Sequence, residues 1–353
     1  MARDIGIDLG TANSLVHLKG RGIILNEPSV LAYDRKSQEV IAIGNEAYPM
    51  LGRTPASIEV VQPLKGGVIN DYELTEAFLL LCFKKLRLQR GFRSTNVLIS
   101  APSSITDIER LSLYEAVQKV SSGKVYIEPE PLVAAVGAGL EVLDSTGNMI
   151  VDIGGGTTDI AIISAGEILY SESLKIAGDD FDEAIINYLK EHEQILVGLH
   201  SAEALKKQLA SALKQEEPFI KNIEIKGRDL VTGLPKAVNV DSNDLFQALQ
   251  DLLLQIARAT RRVLEQAPPE IMADIHDQGI IVTGGGALIQ DIDLFLSDQL
   301  KVTVVTSDHP LTAVALGTGT MLEWITTGRL DRSNKKQKIR RQRWRRFWRR
   351  IIG

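Results

Sequence analysis

Asp152-Ile153-Gly154-Gly155-Gly156-Thr157-Thr158-Asp159 is the stretch on which the reading of this chain turns. An apolar run, Met149-Ile150-Val151, precedes it, and another, Ile160-Ala161-Ile162-Ile163, follows. β-Branched residues on both sides of a glycine triplet predict two strands joined by a tight bend, because glycine tolerates backbone angles that other residues resist. Glycines also let successive backbone N–H groups point into one concavity, which binds phosphate. Asp152, closing the first strand, stands where a carboxylate would hold a hydrated divalent cation beside those phosphates. Taken alone, the stretch reads equally as a plain β-hairpin.

A second copy decides between these. Ile5-Gly6-Ile7-Asp8-Leu9-Gly10-Thr11-Ala12-Asn13-Ser14-Leu15-Val16 repeats strand, Asp, one apolar residue, Gly, Thr and strand in the same order. A third glycine turn, Thr283-Gly284-Gly285-Gly286-Ala287-Leu288, follows Ile280-Ile281-Val282. Two Asp-x-Gly hairpins in separate halves predict two related lobes closing on one nucleotide, each lending a phosphate loop. The chain contains no Gly-x-x-x-x-Gly-Lys-[Ser/Thr] loop and no Gly-x-Gly-x-x-Gly turn opening a helix after a strand, so the common single-loop nucleotide folds do not apply.

The paired motifs resemble the actin-type ATPase superfamily of actin, the seventy-kilodalton heat-shock chaperones and the sugar kinases. Within it, the wording is close to the bacterial cytoskeletal MreB family. The matching phrases are Ile5–Leu15, Gly22–Val30, Leu51-Gly52-Arg53-Thr54-Pro55, Gly67-Val68-Ile69, Gly147–Thr158, Phe181–Ile186 and Thr283–Leu288. The resemblance implies an α/β, actin-like ATPase fold: two lobes, each a ribonuclease-H-like mixed-sheet core with a small inserted subdomain. Lobe I would comprise residues 1–31, 66–148 and 310–330 with its small subdomain at 32–65. Lobe II would comprise 149–182 and 243–309 with its small subdomain at 183–242, leaving 331–353 as a basic amphipathic tail.

The activity implied is ATP hydrolysis coupled to assembly of membrane-associated filaments that direct wall synthesis and maintain bacterial cell shape. ATP and Mg²⁺ would be the cofactors. Copies of the chain, the anionic inner membrane surface and the wall-elongation machinery would be the partners. A small-molecule kinase on the same fold is the alternative, and a chaperone ATPase a third reading. Sugar kinases usually carry insertions that build a substrate pocket, and chaperones a substrate domain after the second lobe; this chain has little sequence for either.

In ATP hydrolysis water attacks the γ-phosphate, and the protein mainly positions and neutralises. By resemblance, Asp8 and Asp152 would face each other across the cleft and hold Mg²⁺ largely through water. Thr11, Ala12 and Asn13 would cradle phosphate from one hairpin, and Gly154, Gly155, Gly156 and Thr157 from the other. Glu130 would orient the attacking water, helped by Thr158. Relatives carry Glu-Glu-Pro where this chain reads Glu128-Pro129-Glu130-Pro131, so Pro129 replaces the first Glu and the matching carboxylate stays. Glu203 and Lys206 would clamp the ribose, although by spacing alone they are an ordinary i, i+3 surface pair worth roughly a few tenths of a kcal/mol. Gly285, Gly286, Ala287 and Leu288 would meet the base. Gly178 and Asp179 lie where relatives approach the nucleotide, with Ala177 interrupting the frequent Gly-Gly-Asp.

At 353 residues, 44% hydrophobic and 24% charged, the chain has the length for two cores and the composition of a soluble globular protein. The first strand begins within a few residues of Met1, and no apolar run approaches the roughly 20 residues of a spanning helix. A cytoplasmic protein, peripheral on the inner face of the plasma membrane, is the expectation. Cys82 reads as a small core residue, and the scattered histidines predict no zinc site. The net charge of −5 conceals a split: residues 332–353 hold eleven Lys/Arg and no acid, leaving 29 basic against 45 acidic residues elsewhere. So acidic a body argues against nucleic acid as its main ligand.

Along the chain, strands are expected through residue 31 and in a strand-rich insertion at 32–65. A buried helix is expected over Leu74–Leu88, a polar loop exposing Phe92 over Gln89–Thr95, and a core strand at Asn96–Ser100. Thr106 and Glu109 have the spacing of a helix capping box. The small-residue run Ala134–Gly139 predicts a helix packed closely against the nucleotide cleft. Helices are predicted over Asp180–Glu191, Glu203–Leu213 and Asn243–Gln266, the last with Leu245, Leu249, Leu252, Leu253 and Ile256 on one stripe and Pro268-Pro269 ending it. Pro310–Thr326 returns to the first lobe. In the tail, Trp344, Phe347, Trp348, Ile351 and Ile352 recur on one helical face among arginines, the pattern of an interfacial membrane anchor. Nucleic acid is the rival partner of that tail, since arginine with tryptophan also suits phosphate and stacked bases.

Overall fold

The computed structural model describes residues 3–86 and 95–330. Strands β1 (Arg3–Leu9) and β2 (Asn13–Leu18) form the first expected hairpin, and β3 (Gly22–Pro28) continues the antiparallel meander. The chain then builds a small sheet from β4 (Leu31–Asp34), β5 (Val40–Ile43) and β6 (Ile58–Val61), with β4 in the middle. A two-stranded turn, β7 (Leu64–Lys65) and β8 (Val68–Ile69), precedes helix α1 (Tyr72–Lys85). Strand β9 (Thr95–Ala101), helix α2 (Asp107–Val120) and strand β10 (Val125–Pro129) return to the main sheet, where β9 lies parallel to β1 and to β10. Helix α3 (Glu130–Gly137) follows directly.

The second half repeats the plan. Strands β11 (Asn148–Ile153), β12 (Thr158–Ser164) and β13 (Glu167–Leu174) form an antiparallel meander, and α4 (Gly178–His192) leaves it. A small sheet of β14 (Ile195–Leu196), β15 (Asn222–Asp229) and β16 (Pro235–Asp241) is interrupted by α5 (Leu199–Leu209). Helices α6 (Ser242–Leu264) and α7 (Pro269–Gln278) lead back to β17 (Ile280–Thr283), α8 (Ile292–Leu300) and β18 (Val304–Thr306). Helix α9 (Ala313–Thr327) closes the described chain. The two five-stranded sheets, β3-β2-β1-β9-β10 and β13-β12-β11-β17-β18, have the same order, each with three antiparallel strands and two added in parallel.

Strand alternation divides the apolar residues among three cores. Ile5, Ile7, Val97 and Ile99 face α1 and α2, where Phe78, Cys82 and Phe83 are buried. Burial pushes the Cys82 thiol up to about 12, which leaves it a packing residue. Val151, Ile153, Ile160 and Ile162 face the opposite flank, built by α4, α6 and α8. The remaining faces meet between the sheets: Leu98 from one and Ile150, Ala161 and Ile163 from the other enclose α3 and α9. The helix pair is therefore the shared middle layer.

Close approach in that layer explains the small residues. A Cβ on Gly137 would lie 1.7 Å from the Ala313 carbonyl oxygen, and one on Gly317 would lie 1.9 Å from that of Val133. The run 134–139 thus packs α3 against α9, rather than against the nucleotide cleft as expected. Where α9 crosses the first sheet, Gly6 meets Thr318 and Gly319 meets His17.

Local signals mostly act as read. Thr106 N–H donates to Glu109 Oε2 at 2.8 Å, and Glu109 N–H donates to Thr106 Oγ1 at 3.3 Å. Leu245, Leu249, Leu253 and Ile256 are buried along α6, with Leu252 half-buried beside them. The helix expected over Glu203–Leu213 instead runs Leu199–Leu209. Beyond Leu209 the backbone bonds to the loop at Gln290 instead: Gln290 N–H donates to the Ala210 carbonyl, and Ala212 N–H to the Gln290 carbonyl. Helices α7 and α8 were not expected. Pro269, read as a stop, starts α7 at its first turn, where a missing N–H costs nothing. Of the loop expected over Gln89–Thr95, residues 89–94 with Phe92 lie outside the described residues and Thr95 begins β9; the tail residues Trp344, Phe347, Trp348, Ile351 and Ile352 also lie outside them.

Gly317→Ala should lower the unfolding free energy by about 1–3 kcal/mol, the usual cost of overpacking a tight core. Urea titration checks this; a change within error would mean that the α3–α9 contact relaxes freely.

Candidate functional site

The register of the second hairpin sets the site. Asp152 lies opposite Asp159, so both side chains share one face of the sheet, while Ile153 and Thr158 share the other. Because Ile153 belongs to the flank core, the Asp152/Asp159 face is the one turned toward α3 and α9. In β1, Ile5, Ile7 and Leu9 face outward, which turns Asp8 inward to the same layer. Glu130 is the first residue of α3. Four carboxylates from both halves of the chain therefore meet.

Their electrostatics follow from burial and from one another. Desolvation raises Asp8 to about 7. Burial, then Asp159 and Asp8, holds Asp152 well above the usual carboxylate range. Glu130 is raised by burial and then by Asp159, Asp152 and Asp8. Burial also raises Asp159, against hydrogen bonds from the Ser103 N–H and from Thr157 and Ser173 that favour its charge. Asp152 Oδ2 is buried without a hydrogen-bond partner. Like charges at this density, with one oxygen orphaned, fit a cation between them. Among the described residues, no three His, Cys, Asp or Glu converge closely enough to ligate a bare ion. Contact through water suits Mg²⁺, which sheds its hydration reluctantly.

Both glycine turns lie over this cluster. A Cβ on Gly155 would meet the Ala12 Cβ at 2.6 Å, and one on Gly156 would meet Thr11 Oγ1 at 2.6 Å and Gly66 N at 2.9 Å. Only glycine permits that approach. Ser29 pins the first turn: its N–H donates to the Ala12 carbonyl at 2.9 Å and its hydroxyl to the Gly10 carbonyl at 2.6 Å. Gly67 N–H donates to Thr11 Oγ1 at 2.9 Å, bringing in the β7–β8 turn. The start of α4 holds the second turn, with Gly178 N–H on the Gly154 carbonyl at 3.1 Å and Asp179 N–H on that of Gly155 at 2.8 Å. Gly178 and Asp179 thus sit beside the loop, with their N–H groups already committed to it.

The third turn packs on the end of β11. A Cβ on Gly284 would touch the Ile153 carbonyl oxygen and Asp152 Oδ1, and Gly286 lies against Ile153. Gly286 and Ala287 are buried, whereas Gly285 and Leu288 are exposed. Asn13 is exposed on the first turn and Thr157 buried in the second.

Thr158 stands apart from the other expected residues. It lies on the flank-core side of β12, and its hydroxyl donates to the Ile176 carbonyl at 2.7 Å. Glu203 and Lys206 are neighbours on α5 but do not pair with each other. Lys206 Nζ donates to the Gly178 carbonyl at 2.6 Å and pairs with Asp182 at 2.9 Å, while Glu203 pairs with Lys207 at 2.6 Å and accepts from the Tyr48 hydroxyl. Sequence reasoning assigned no role to Asp159, Ser29, Gly66, Gly67 or Tyr48. Asp159 was visible as the last residue of the repeated motif, and strand alternation would have set it on the face of Asp152. The others come from loops whose approach to the site no periodicity encodes.

Two lobes of one plan, each turning a glycine-rich hairpin over shared buried carboxylates, define the actin-type nucleotide-binding class. The profile of the family described as MreB/Mbl protein matches residues 2–329. The chain is 49% identical over 322 residues to the cell shape-determining protein Mbl of Bacillus subtilis, covering 91% of this chain and 96% of that protein. It is 44% identical over 329 residues to the cell shape-determining protein MreB of Escherichia coli, covering 92% and 94%. The crystal structure of MreB5 of Spiroplasma citri bound to ADP superposes with a TM-score of 0.88 at 37% identity, covering 93% of this chain and 98% of that one. The MamK double helical filament shares the fold, at a TM-score of 0.77 and 22% identity over 92% of this chain and 99% of that one. The chain belongs to the MreB/Mbl family, and the small-molecule kinase reading is set aside.

Because the fold disfavours the charged form of these carboxylates, they withdraw stability as pH rises from the ordinary carboxylate range through about 7. Without a divalent cation, Asp152→Asn should raise the melting temperature near pH 8 by roughly 2–4 °C per kcal/mol of repulsion relieved. The gain should shrink as pH falls below about 7 toward the ordinary carboxylate range, as Asp8 takes up its proton and the repulsion fades. A pH-independent loss on calorimetry would contradict this account.

Proposed function

We propose that this protein is an actin-like cytoskeletal ATPase that assembles with ATP on the inner face of the plasma membrane and guides wall synthesis to maintain cell shape. The observation that carries this reading is the buried cluster of Asp8, Glu130, Asp152 and Asp159 beneath two opposed glycine turns. MreB5 of Spiroplasma citri was crystallised with both ADP and AMPPNP, which supports the same site as a nucleotide site here. On this reading the chain divides at the boundaries expected from its sequence, with residues 32–65 and 183–242 as the small subdomains.

Asp8 and Asp152 would hold Mg²⁺ through its waters, and the ion when bound would offset charge on the phosphates. Thr11, Ala12 and Asn13 face the phosphates from one turn, and Gly154, Gly155, Gly156 and Thr157 from the other; the Gly154 N–H closes that turn on the Thr157 carbonyl at 2.9 Å, and the N–H groups that follow it are directed at phosphate oxygens. Gly285 and Leu288, exposed on the third turn, meet the base together with the backbone of Gly286 and Ala287. Glu130 orients the attacking water, and a cation held nearby by Asp8 and Asp152 would favour its ionised, proton-accepting form. Water forms the new P–O bond, the bond from the γ-phosphorus to the bridging oxygen breaks, and Glu130 takes up the water's proton. Thr158 acts on this arrangement from behind, by fixing the backbone at Ile176 just before α4.

No helix among the described residues is long and apolar enough to cross a membrane. The arginine-rich tail with its apolar stripe supplies peripheral attachment, each basic residue adding about 1 kcal/mol near an anionic leaflet. A filament displaying many tails would bind persistently through avidity.

Glu130→Gln should slow phosphate release by about 10²- to 10⁴-fold while ATP-dependent filaments still form, seen by negative-stain electron microscopy. Soluble monomers from the wild-type chain with ATP and Mg²⁺ would overturn the filament reading. Removing residues 332–353 should abolish co-sedimentation with anionic liposomes; undiminished pelleting would reject the tail as anchor.

A further inference from the structure

Helix α5 makes contacts in two directions from adjacent turns. Toward its own lobe, Lys206 Nζ donates to the Gly178 carbonyl at 2.6 Å and pairs with Asp182 at 2.9 Å, both side chains being largely shielded from solvent. Gly178 and its neighbour Asp179 donate in turn to the carbonyls of Gly154 and Gly155. Two successive hydrogen bonds thus connect α5 to the glycine turn over the carboxylates.

Toward the other lobe, α5 meets Tyr48. The tyrosine sits on a short 3₁₀ turn, Tyr48–Met50, after the fully buried Ala47 and before Pro49, on a firm base in the first small sheet. Its hydroxyl donates to Glu203 Oε2, and His200 Nδ1 lies 3.3 Å from the Tyr48 hydroxyl oxygen. The Tyr48 and His200 rings meet edge to face with centroids 5.4 Å apart. Glu203 and Lys206 are one turn apart, so both contacts load one short segment. The adjoining face of α5 buries Ala202, Leu205 and Leu209 in the lobe core, which makes the helix move as a body with what it packs on.

We propose that α5 is a coupling strut: Lys206 positions the Gly154–Gly156 turn through the start of α4, and Tyr48 latches the same helix to the opposite lobe. Closure between the small sheets and the geometry of the phosphate turn then change together. Nucleotide leaves by breaking the Tyr48 contact, and a turn without phosphate loosens that contact in return. This inference rests on the nucleotide reading of the site. Lys206 acts here as a positioning residue, and Tyr48 as the gate.

The test follows release of a fluorescent ADP analogue from the full chain in wild-type, Tyr48→Phe, Lys206→Met and doubly substituted forms. Tyr48→Phe removes one hydroxyl and keeps the ring on His200. Loss of its hydrogen bond to a charged group should speed release roughly tenfold. Lys206→Met should also speed release, and the double variant should be no faster than Lys206→Met alone, because the latch acts through the strut. Lys206→Arg, which keeps the charge, should restore the effect of Tyr48→Phe. Release from Tyr48→Phe within twofold of wild type, or effects that multiply in the double variant, would overturn the coupling. Should wild type bind no nucleotide, the nucleotide reading fails, and the latch is read separately. For that, spin labels at Lys36→Cys and Lys226→Cys, one on each small sheet, report the distance between them. Tyr48→Phe should lengthen and broaden that distance, and an unchanged distribution would reject the latch.

Discussion

Mutual repulsion among buried carboxylates is the constraint around which this molecule is arranged. Asp8, Glu130 and the hairpin pair Asp152 and Asp159 come from three separate places in the chain, yet all occupy the layer between the two sheets. A fold would gain nothing by collecting like charges in a poorly solvated layer unless something positive entered it. The cluster accordingly stores unfavourable electrostatic energy that a bound cation can relieve.

The middle helix pair makes such a cluster possible. Helices α3 and α9 are held so close by Gly137 and Gly317 that they form one slab, against which both sheets rest. Glu130 projects from the first turn of α3, so the slab that joins the lobes also carries the residue proposed to orient water. Pro129 ends β10 and Pro131 lies in the first helical turn, and the two fix the backbone on either side of Glu130.

The glycine turns illustrate how indirect the support of a binding loop is. Their N–H groups can face a ligand only because other groups hold their carbonyls: Ser29 for the first turn, and the start of α4 for the second. Lys206 then holds the start of α4. A residue at helical spacing from Glu203 reads as half of a surface pair, and becomes part of the loop's support only through the path of the chain between residues 178 and 206.

The sequence by itself determined the duplicated hairpins, the capping box at Thr106 and the apolar stripe of α6. Each is local: turn geometry, capping and strand or helix periodicity act within a few residues, so their signals survive without the rest of the chain. That Gly155 and Gly156 must be glycine follows instead from the approach of Ala12, Thr11 and Gly66 and not from positive φ angles. Asp8 and Asp152 were legible because each closes a strand of the repeated motif, whereas Glu130 was named only through the family resemblance. Only the tertiary structure decided that Asp159 joins them, that Thr158 faces away, that the small residues at 134–139 serve α9 rather than the cleft, and that α5 ends where Gln290 takes over its backbone bonds. Strand register, helix contact and loop closure bring together residues separated by tens to hundreds of positions. No single segment's pattern encodes which partner it will meet, because that choice is made by burying several segments at once.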